Sequence, residues 1–163
     1  MTQSELNAEL LKGNLEMLKG TLADFSDADM LVRPCPGANH PTWQIGHMIN
    51  SETSMLNGVK PGAGPQLPAG FADKFTKETA SNDDPNFFPK KAELLDTFSK
   101  VRAATIAWAK GLTPADLEQP TPEKMRKWAP TTAHLVAMVP AHVMMHVGQF
   151  QVARRKLGKP VLF

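Results

Sequence analysis

Residues 141–150 read Ala-His-Val-Met-Met-His-Val-Gly-Gln-Phe and carry two histidines, His142 and His146, four residues apart. On an α-helix, residues at this spacing lie on one face, about 40° apart and one turn along the axis. Two imidazoles placed in this way can bind the same divalent cation. An isolated pair of this spacing is more often two structural histidines bonded to the backbone, so the surrounding sequence has to decide between the two readings.

The segment around the pair has the marks of a long helix. It starts after Pro130, where Thr131 or Thr132 can cap the first turn, and it continues to about Leu157, before Gly158. The histidines share a stripe with apolar residues, so we expect them to face the core. A polar group on an inward face is costly unless a partner satisfies it.

Three further segments show the same periodicity, and they run over residues 4–25, 41–57 and 90–111. Strand signals are few, since no hairpin turn separates alternating apolar runs. Residues 58–89 hold five prolines and four glycines without a clear period. We therefore predict an all-α protein, a four-helix bundle with a long crossover connection between helices 2 and 3, in one domain over residues 1–163.

Composition narrows the class of protein further. A chain of 163 residues with 42% hydrophobic residues can bury one sizeable core, and its net charge is only +2. The basic run 154–156 falls at a helix end, where cations complement the helix dipole, so nucleic-acid binding is not indicated. No apolar stretch reaches the roughly 18 residues that cross a bilayer. The polar N-terminus lacks a signal-peptide pattern, which favours a cytoplasmic protein, and the single Cys35 excludes an internal disulfide.

A third histidine favours a metal-binding role for the pair. His47 lies on the second helical segment, on one face with Trp43 and Asn50 and next to Gly46. A lone histidine there is usually structural, but a facing helix that carries two more can complete a three-histidine site. Such a site leaves one coordination position open, as catalytic zinc sites do.

Other polar residues are candidates for hydrogen-bonding to the ligands or for lining the mouth of this site. Asn50 and Gln149, each three residues after a proposed ligand, are placed to hydrogen-bond to the ligands. His134 lies off the ligand stripe and is a candidate for the mouth of the site. His40 is expected to cap a helix or to be exposed, and Glu52 to be a surface or interhelical group. We identify no general acid or base.

The quoted segments resemble one known family. Trp43-Gln44-Ile45-Gly46-His47 is similar to the second-helix element of the DinB/YfiT-like metal proteins, and the stretch from Ala141 to Phe150, followed by Arg154-Arg155-Lys156-Leu157-Gly158-Lys159-Pro160, is similar to their last helix. The resemblance covers most of the chain. It implies a four-helix bundle with a long crossover, homodimers, and a divalent metal on three histidines, which here are His47, His142 and His146.

The resemblance extends to bacillithiol-dependent transferases and mycothiol-dependent isomerases, and the chemistry of the site agrees with such activities. Three neutral imidazoles leave the full charge on a divalent ion, with Zn²⁺ favoured and Ni²⁺ the alternative. Such an ion ionises a bound thiol and lowers the pKa of a bound water to about 7. The hypothesis is a small-molecule enzyme that directs a metal-bound thiolate of low molecular weight at an electrophile.

Three alternatives stay open at this point. Metal-assisted hydrolysis uses the same open position on the ion. A bundle that binds metal without catalysis, as a regulator or interaction module, agrees with the lack of an evident acid or base. In the last alternative the histidines bind no metal and serve packing alone. The H-E-x-x-H protease motif is excluded, because no glutamate lies between His142 and His146.

Overall fold

Four long α-helices form the framework of the computed structural model, which describes residues 1–162; Phe163, the last residue of the predicted domain, lies outside the described residues. In chain order the helices are α1 (Gln3–Leu22), α2 (Pro41–Val59), α3 (Lys91–Lys110), the short α4 (Pro114–Glu118) and α5 (Glu123–Arg126), and α6 (Thr132–Lys156). Within residues 1–162 there is no strand, apart from an isolated bridge between Pro120 and Thr131. The prediction of an all-α fold with four main helices is confirmed.

The helix ends agree with the predicted ones to within a few residues. Thr131 is the N-cap of α6, one of the two threonines predicted for this role. The largest difference is at the end of α1, which stops at Leu22 and not at Phe25. The Lys91 ammonium donates to the carbonyls of Leu22 and Ala23, each at 3.3 Å, and to the carbonyl of Phe25. Because a lysine satisfies these carbonyls, the helix can end there.

The start of α2 combines a proline with a histidine cap. Pro41 occupies the first helical position, and His40 is the N-cap, whose Nδ1 accepts the backbone N–H of Trp43 at 3.1 Å. His40 is fully buried, and its Nε2 lies 3.0 Å from the Asn82 carbonyl oxygen. The capping role expected for His40 is confirmed, whereas the alternative of an exposed position is wrong.

The core lies between two pairs of helices. α1 packs against α3 and α6, and α2 packs against the same two helices. The face of α6 that enters the core runs through Val139, Val143, Val147 and Phe150, all buried. In the described part of the chain, no helix has both the length and the apolar character needed to cross a bilayer.

One buried ion pair crosses this core. Arg102 on α3 donates through Nε to Oε1 of Glu52 on α2 at 2.9 Å and through Nη2 to Oε2 at 2.7 Å. Its Nη1 donates to the Leu11 carbonyl at 2.8 Å and to Oδ1 of Asn14 at 3.1 Å, both on α1. Arg102 is 0% exposed and Glu52 is 3% exposed. Glu52 is therefore an interhelical group and not a surface group, and the pair joins three helices.

One arginine at the basic end of α6 is buried. Arg154 is only 1% exposed. Its guanidinium donates to both carboxylate oxygens of Asp24, and also to the carbonyls of Thr21 at 2.8 Å and Pro160 at 2.9 Å. The end of α1 thus supplies acceptors that hold this arginine against the bundle.

The connection between α2 and α3, residues 60–90, is called the crossover here. It is not periodic, yet it contains two short 3₁₀ turns at Ala72–Phe75 and Lys77–Thr79. It also buries the aromatic side chains of Phe71, Phe75 and Phe88. The ring of Phe75 fills the space above Gly46 on α2, where a Cβ atom would overlap the ring. Gly46 thus lets the crossover pack directly on the helix that carries His47.

We predict opposite stability effects for alanine at two helical glycines. Gly46→Ala forces the buried Phe75 ring to move, and overpacking of this kind costs about 1–3 kcal/mol. The better helix propensity of alanine offsets at most about 1 kcal/mol of that loss. Gly13→Ala is the matched control, since a Cβ there meets no atom within 4 Å. The free energies of unfolding, measured by urea denaturation of metal-free protein, should fall for Gly46→Ala and rise for Gly13→Ala. Equal stability of the two variants would contradict the packing of Phe75 on α2.

Candidate metal centre

Three histidines from two helices converge at one place on the bundle. His47 on α2 and His142 and His146 on α6 each offer a ring nitrogen, and these three nitrogens lie within 4.8 Å of one another. Nε2 of His142 and Nε2 of His146 are 3.2 Å apart. Two nitrogens on one tetrahedral zinc ion at ordinary bond lengths are about 3.3 Å apart. The three residues therefore form a cluster that could hold a metal ion.

The rings meet edge to face, which turns their nitrogens toward each other. The ring centroids of His142 and His146 are 4.9 Å apart with planes at 75°, and their spacing of four residues on α6 makes them neighbours on one face. The ring of His47 lies 5.2 Å from that of His142 and 5.5 Å from that of His146. The packing of α2 on α6 thus places the ring of His47 beside the pair, as the third nitrogen donor that the sequence alone could not establish.

The orientation of His47 depends on Trp43 and on the crossover. The two rings are stacked, with centroids 5.2 Å apart and planes at 4°. The indole Nε1 of Trp43 donates to the Thr76 carbonyl at 3.1 Å and to Oγ1 of Thr79 at 3.2 Å. Both acceptors belong to the crossover. The long connection therefore holds the tryptophan against which the His47 imidazole lies.

The orientation of His146 depends on Gln44, a residue that the sequence analysis missed. Oε1 of Gln44 lies 2.7 Å from Nδ1 of His146, and Nε2 of Gln44 donates to the Asn39 carbonyl at 2.6 Å. Both side chains are buried, with Gln44 1% exposed and His146 8% exposed. Gln44 lies one turn before His47, whereas the candidates Asn50 and Gln149 each lie one turn after a proposed ligand. The spacing Q-x-x-H was the available signal.

The electrostatics of the cluster suit neutral imidazoles. Burial lowers the pKa of His47. Burial, followed by the charge of His47, lowers the pKa of His142. Burial, followed by His142 and His47, lowers the pKa of His146 to about 3. Neutral imidazoles can donate lone pairs without first losing a proton, and nitrogen donors of this kind suit Zn²⁺ and Ni²⁺.

The two residues expected to hydrogen-bond to the ligands lie elsewhere in the network. Asn50 donates through Nδ2 to the Ala72 carbonyl at 3.1 Å, so it binds the crossover. Gln149 is exposed, and within residues 1–162 it makes no hydrogen bond to the three histidines. The buried face of α6 is centred on Val143, Val147 and Phe150, which leaves Gln149 at the edge of that face. Of Gln44, Asn50 and Gln149, only Gln44 is hydrogen-bonded to the cluster within the described residues.

His134 also lies away from the three histidines. It is exposed in the first turn of α6, where its Nδ1 is 2.8 Å from Oγ1 of the N-cap residue Thr131. Two helical turns separate it from His142 along α6. The expectation that His134 lines the mouth of the site is corrected, because this side chain interacts with the helix cap. Cys35 is exposed and unpaired within the described residues.

The protein is therefore a four-helix bundle. Its second and last long helices share a three-histidine cluster that could hold a metal ion. Residues 10–150 match the family model of the DinB superfamily, and the chain belongs to that superfamily. The resemblance seen in the sequence is thereby confirmed.

A solved structure shares the fold. It is the crystal structure of a conserved protein from Enterococcus faecalis, with a TM-score of 0.69 and 18% sequence identity; the match covers 98% of this chain and 99% of that chain. At this identity the likeness concerns the fold alone. No curated protein matches the chain significantly.

We predict that the cluster binds zinc through all three histidines. Protein purified without a histidine tag and loaded with Zn²⁺ should retain about one equivalent per chain. Loss of a residue that merely orients a ligand costs 10–100-fold in metal affinity, so His142→Ala, which removes a ligand, should lower the zinc affinity by more than about 100-fold. Competition with a chromophoric chelator measures both affinities.

His134→Ala is the matched control, because it removes an imidazole from the same helix outside the cluster. Its zinc affinity should equal that of the parent protein. If the two variants lost zinc to the same extent, or if the parent bound none, the cluster would not be a metal site.

Proposed function

We propose that the chain is a divalent-metal-dependent enzyme, a thiol-dependent transferase, with His47, His142 and His146 as its metal ligands. Zn²⁺ is the favoured ion and Ni²⁺ the alternative. The observation that carries the proposal is the convergence of three imidazole nitrogens within 4.8 Å of one another. A divalent ion on such donors supplies a Lewis acid that ionises a thiol beside it.

The burial of the three side chains supports a site that a substrate can reach. His146 is buried, whereas His47 and His142 are half-buried. The cluster is thus anchored on its inner side by Gln44 and His146, and its outer side faces solvent. Access for a small molecule is what separates a catalytic metal site from a closed structural one.

The position of the carboxylates favours thiol transfer over hydrolysis. Glu52, the acidic residue nearest to His47 in sequence, is bound to Arg102 by two hydrogen bonds. Within residues 1–162 no carboxylate is hydrogen-bonded to the three histidines. In thiol transfer the sulfur loses its proton to solvent and forms a bond to the electrophilic carbon, and the leaving group departs with the electron pair of the broken bond. This reaction needs no acid from the protein when the leaving group is a stable anion.

The expectations about substrate, partners and location are part of the same proposal. They comprise a small-molecule substrate, a low-molecular-weight thiol as cosubstrate, a homodimer, a cytoplasmic location and no role for nucleic acid. Their support is the composition of the chain and the properties implied by the family resemblance.

A cosubstrate screen tests the proposal. Zinc-loaded and nickel-loaded protein is incubated with glutathione, cysteine, bacillithiol or mycothiol together with 1-chloro-2,4-dinitrobenzene, and conjugates are quantified by mass spectrometry. We expect at least one thiol to be conjugated faster than in the absence of protein. His47→Ala should abolish the acceleration while the helical circular dichroism is retained, and His134→Ala should leave it unchanged.

A different result would decide for another function. Protein that binds the metal in full but accelerates conjugation with none of these thiols, also when other electrophiles are offered, would contradict the transferase. Hydrolysis of activated esters by the same metal-loaded protein would then indicate a metal-assisted hydrolase. Metal binding without either activity would favour a non-catalytic metal-binding bundle.

A further inference from the structure

We propose that Gln44 is a positioning residue, which fixes His146 in the tautomer with its proton on Nδ1 and so makes Nε2 the metal-binding atom. This inference rests on the metal site of the proposed function and is independent of thiol transfer. Gln44 acts through His146, and no role in contact with a substrate is assigned to it. The hydrogen-bond donors and acceptors around Gln44 select this tautomer.

The side-chain amide of Gln44 has a single favourable orientation. One of its two terminal atoms lies 2.6 Å from the carbonyl oxygen of Asn39. A carbonyl oxygen can only accept, so the atom that faces it has to be the NH₂ group of Gln44. The reversed amide would place two oxygen atoms in contact. The other terminal atom, 2.7 Å from Nδ1 of His146, is therefore Oε1.

This orientation determines where the imidazole of His146 carries its proton. Oε1 of Gln44 can only accept, so Nδ1 of His146 has to donate. A neutral imidazole has one N–H group, and Nε2 is then left with a free lone pair. That atom points into the cluster, 3.2 Å from Nε2 of His142. The nitrogen that a metal ion needs is thus deprotonated before any ion arrives.

The other two histidines are oriented by weaker means. Within the described residues, neither Nδ1 of His142 nor either nitrogen of His47 forms a hydrogen bond to a residue outside the cluster, and His47 is held by its stacking on Trp43. Before metal binding, His142 can donate from Nε2 to Nε2 of His146, which requires it to hold the opposite tautomer. His146 is accordingly the preorganised ligand, and His142 would have to move its proton from Nε2 to Nδ1 for its Nε2 to bind an ion.

The backbone that holds Gln44 is itself fixed. Nη1 of Arg33 donates to the Ala38 carbonyl at 2.8 Å, and Nη2 of Arg33 donates to the Ala80 carbonyl at 2.9 Å. The peptide before Asn39 is therefore tied to the crossover. A fixed acceptor at Asn39 prevents the Gln44 amide from rotating, which is the condition for selecting one tautomer of His146.

The test reads the tautomer directly in metal-free protein. Two-bond ¹H–¹⁵N correlation spectra at pH 7.5 distinguish a protonated from an unprotonated ring nitrogen in each histidine. In the parent protein we expect His146 to show a protonated Nδ1 and an unprotonated Nε2. A protonated Nε2 on His146 would overturn the inference, and this measurement on the parent alone needs no variant to fold.

Two substitutions at position 44 then test the effect on metal binding. Gln44→Met has nearly the same size, but it has only a weak thioether acceptor and no donor to Asn39, so His146 should populate both tautomers and the zinc affinity should fall 10–100-fold. Gln44→Glu keeps an acceptor oxygen for Nδ1 of His146 but loses the amide donor to the Asn39 carbonyl, so it should restore the Nδ1–H tautomer and only part of the affinity. An unchanged tautomer and affinity in Gln44→Met would overturn the inference.

The outcomes separate this inference from the proposed function. If the tautomer and the affinity respond as predicted but no thiol is transferred, the inference is supported and the transferase is contradicted. If the parent binds no zinc, the proposed metal site fails, and Gln44 has no role toward an ion even where the predicted tautomer is observed.

Discussion

The buried ion pair between Arg102 and Glu52 is the interaction that fixes α2 in the bundle. Removal of one partner from a buried pair typically costs about 3–5 kcal/mol, because the other charge is left uncompensated. Arg102 also binds two acceptors on α1, so a single guanidinium joins three helices. Glu52 and His47 lie five residues apart on α2, about 140° around the helix. One side of α2 is thereby held to α1 and α3 while another presents His47 to α6.

The three imidazoles are supported from outside the bundle as well. The crossover binds Trp43, against which His47 is stacked, and the loop before α2 binds Gln44, which contacts His146. Arg33 connects that loop to the crossover. A connection that looks irregular in sequence therefore acts as a scaffold for two ligands. Metal sites in which the ligands are oriented in advance lose less entropy when the ion binds.

Much of the fold could be predicted, because helical periodicity and end signals such as Pro41 and Gly158 are local properties of the sequence. The three clustered histidines were predictable from the i, i+4 pair and the family resemblance. Contacts between distant segments were not predictable. The burial of Arg154 depends on acceptors at the end of α1, and the partnership of Gln44 with His146 joins residues 102 positions apart. Gln149 does not hydrogen-bond to the ligands, because the buried face of α6 is centred on Val143, Val147 and Phe150 and Gln149 lies at its edge.

The three-histidine site can be tested by a crystal structure of zinc-loaded protein, with anomalous data collected on both sides of the zinc absorption edge. Such a site predicts one strong anomalous peak among His47, His142 and His146, with zinc–nitrogen distances of about 2.0–2.1 Å and His146 bound through Nε2. A zinc ion held by other side chains, or a cluster that stays without density at saturating zinc, would contradict it.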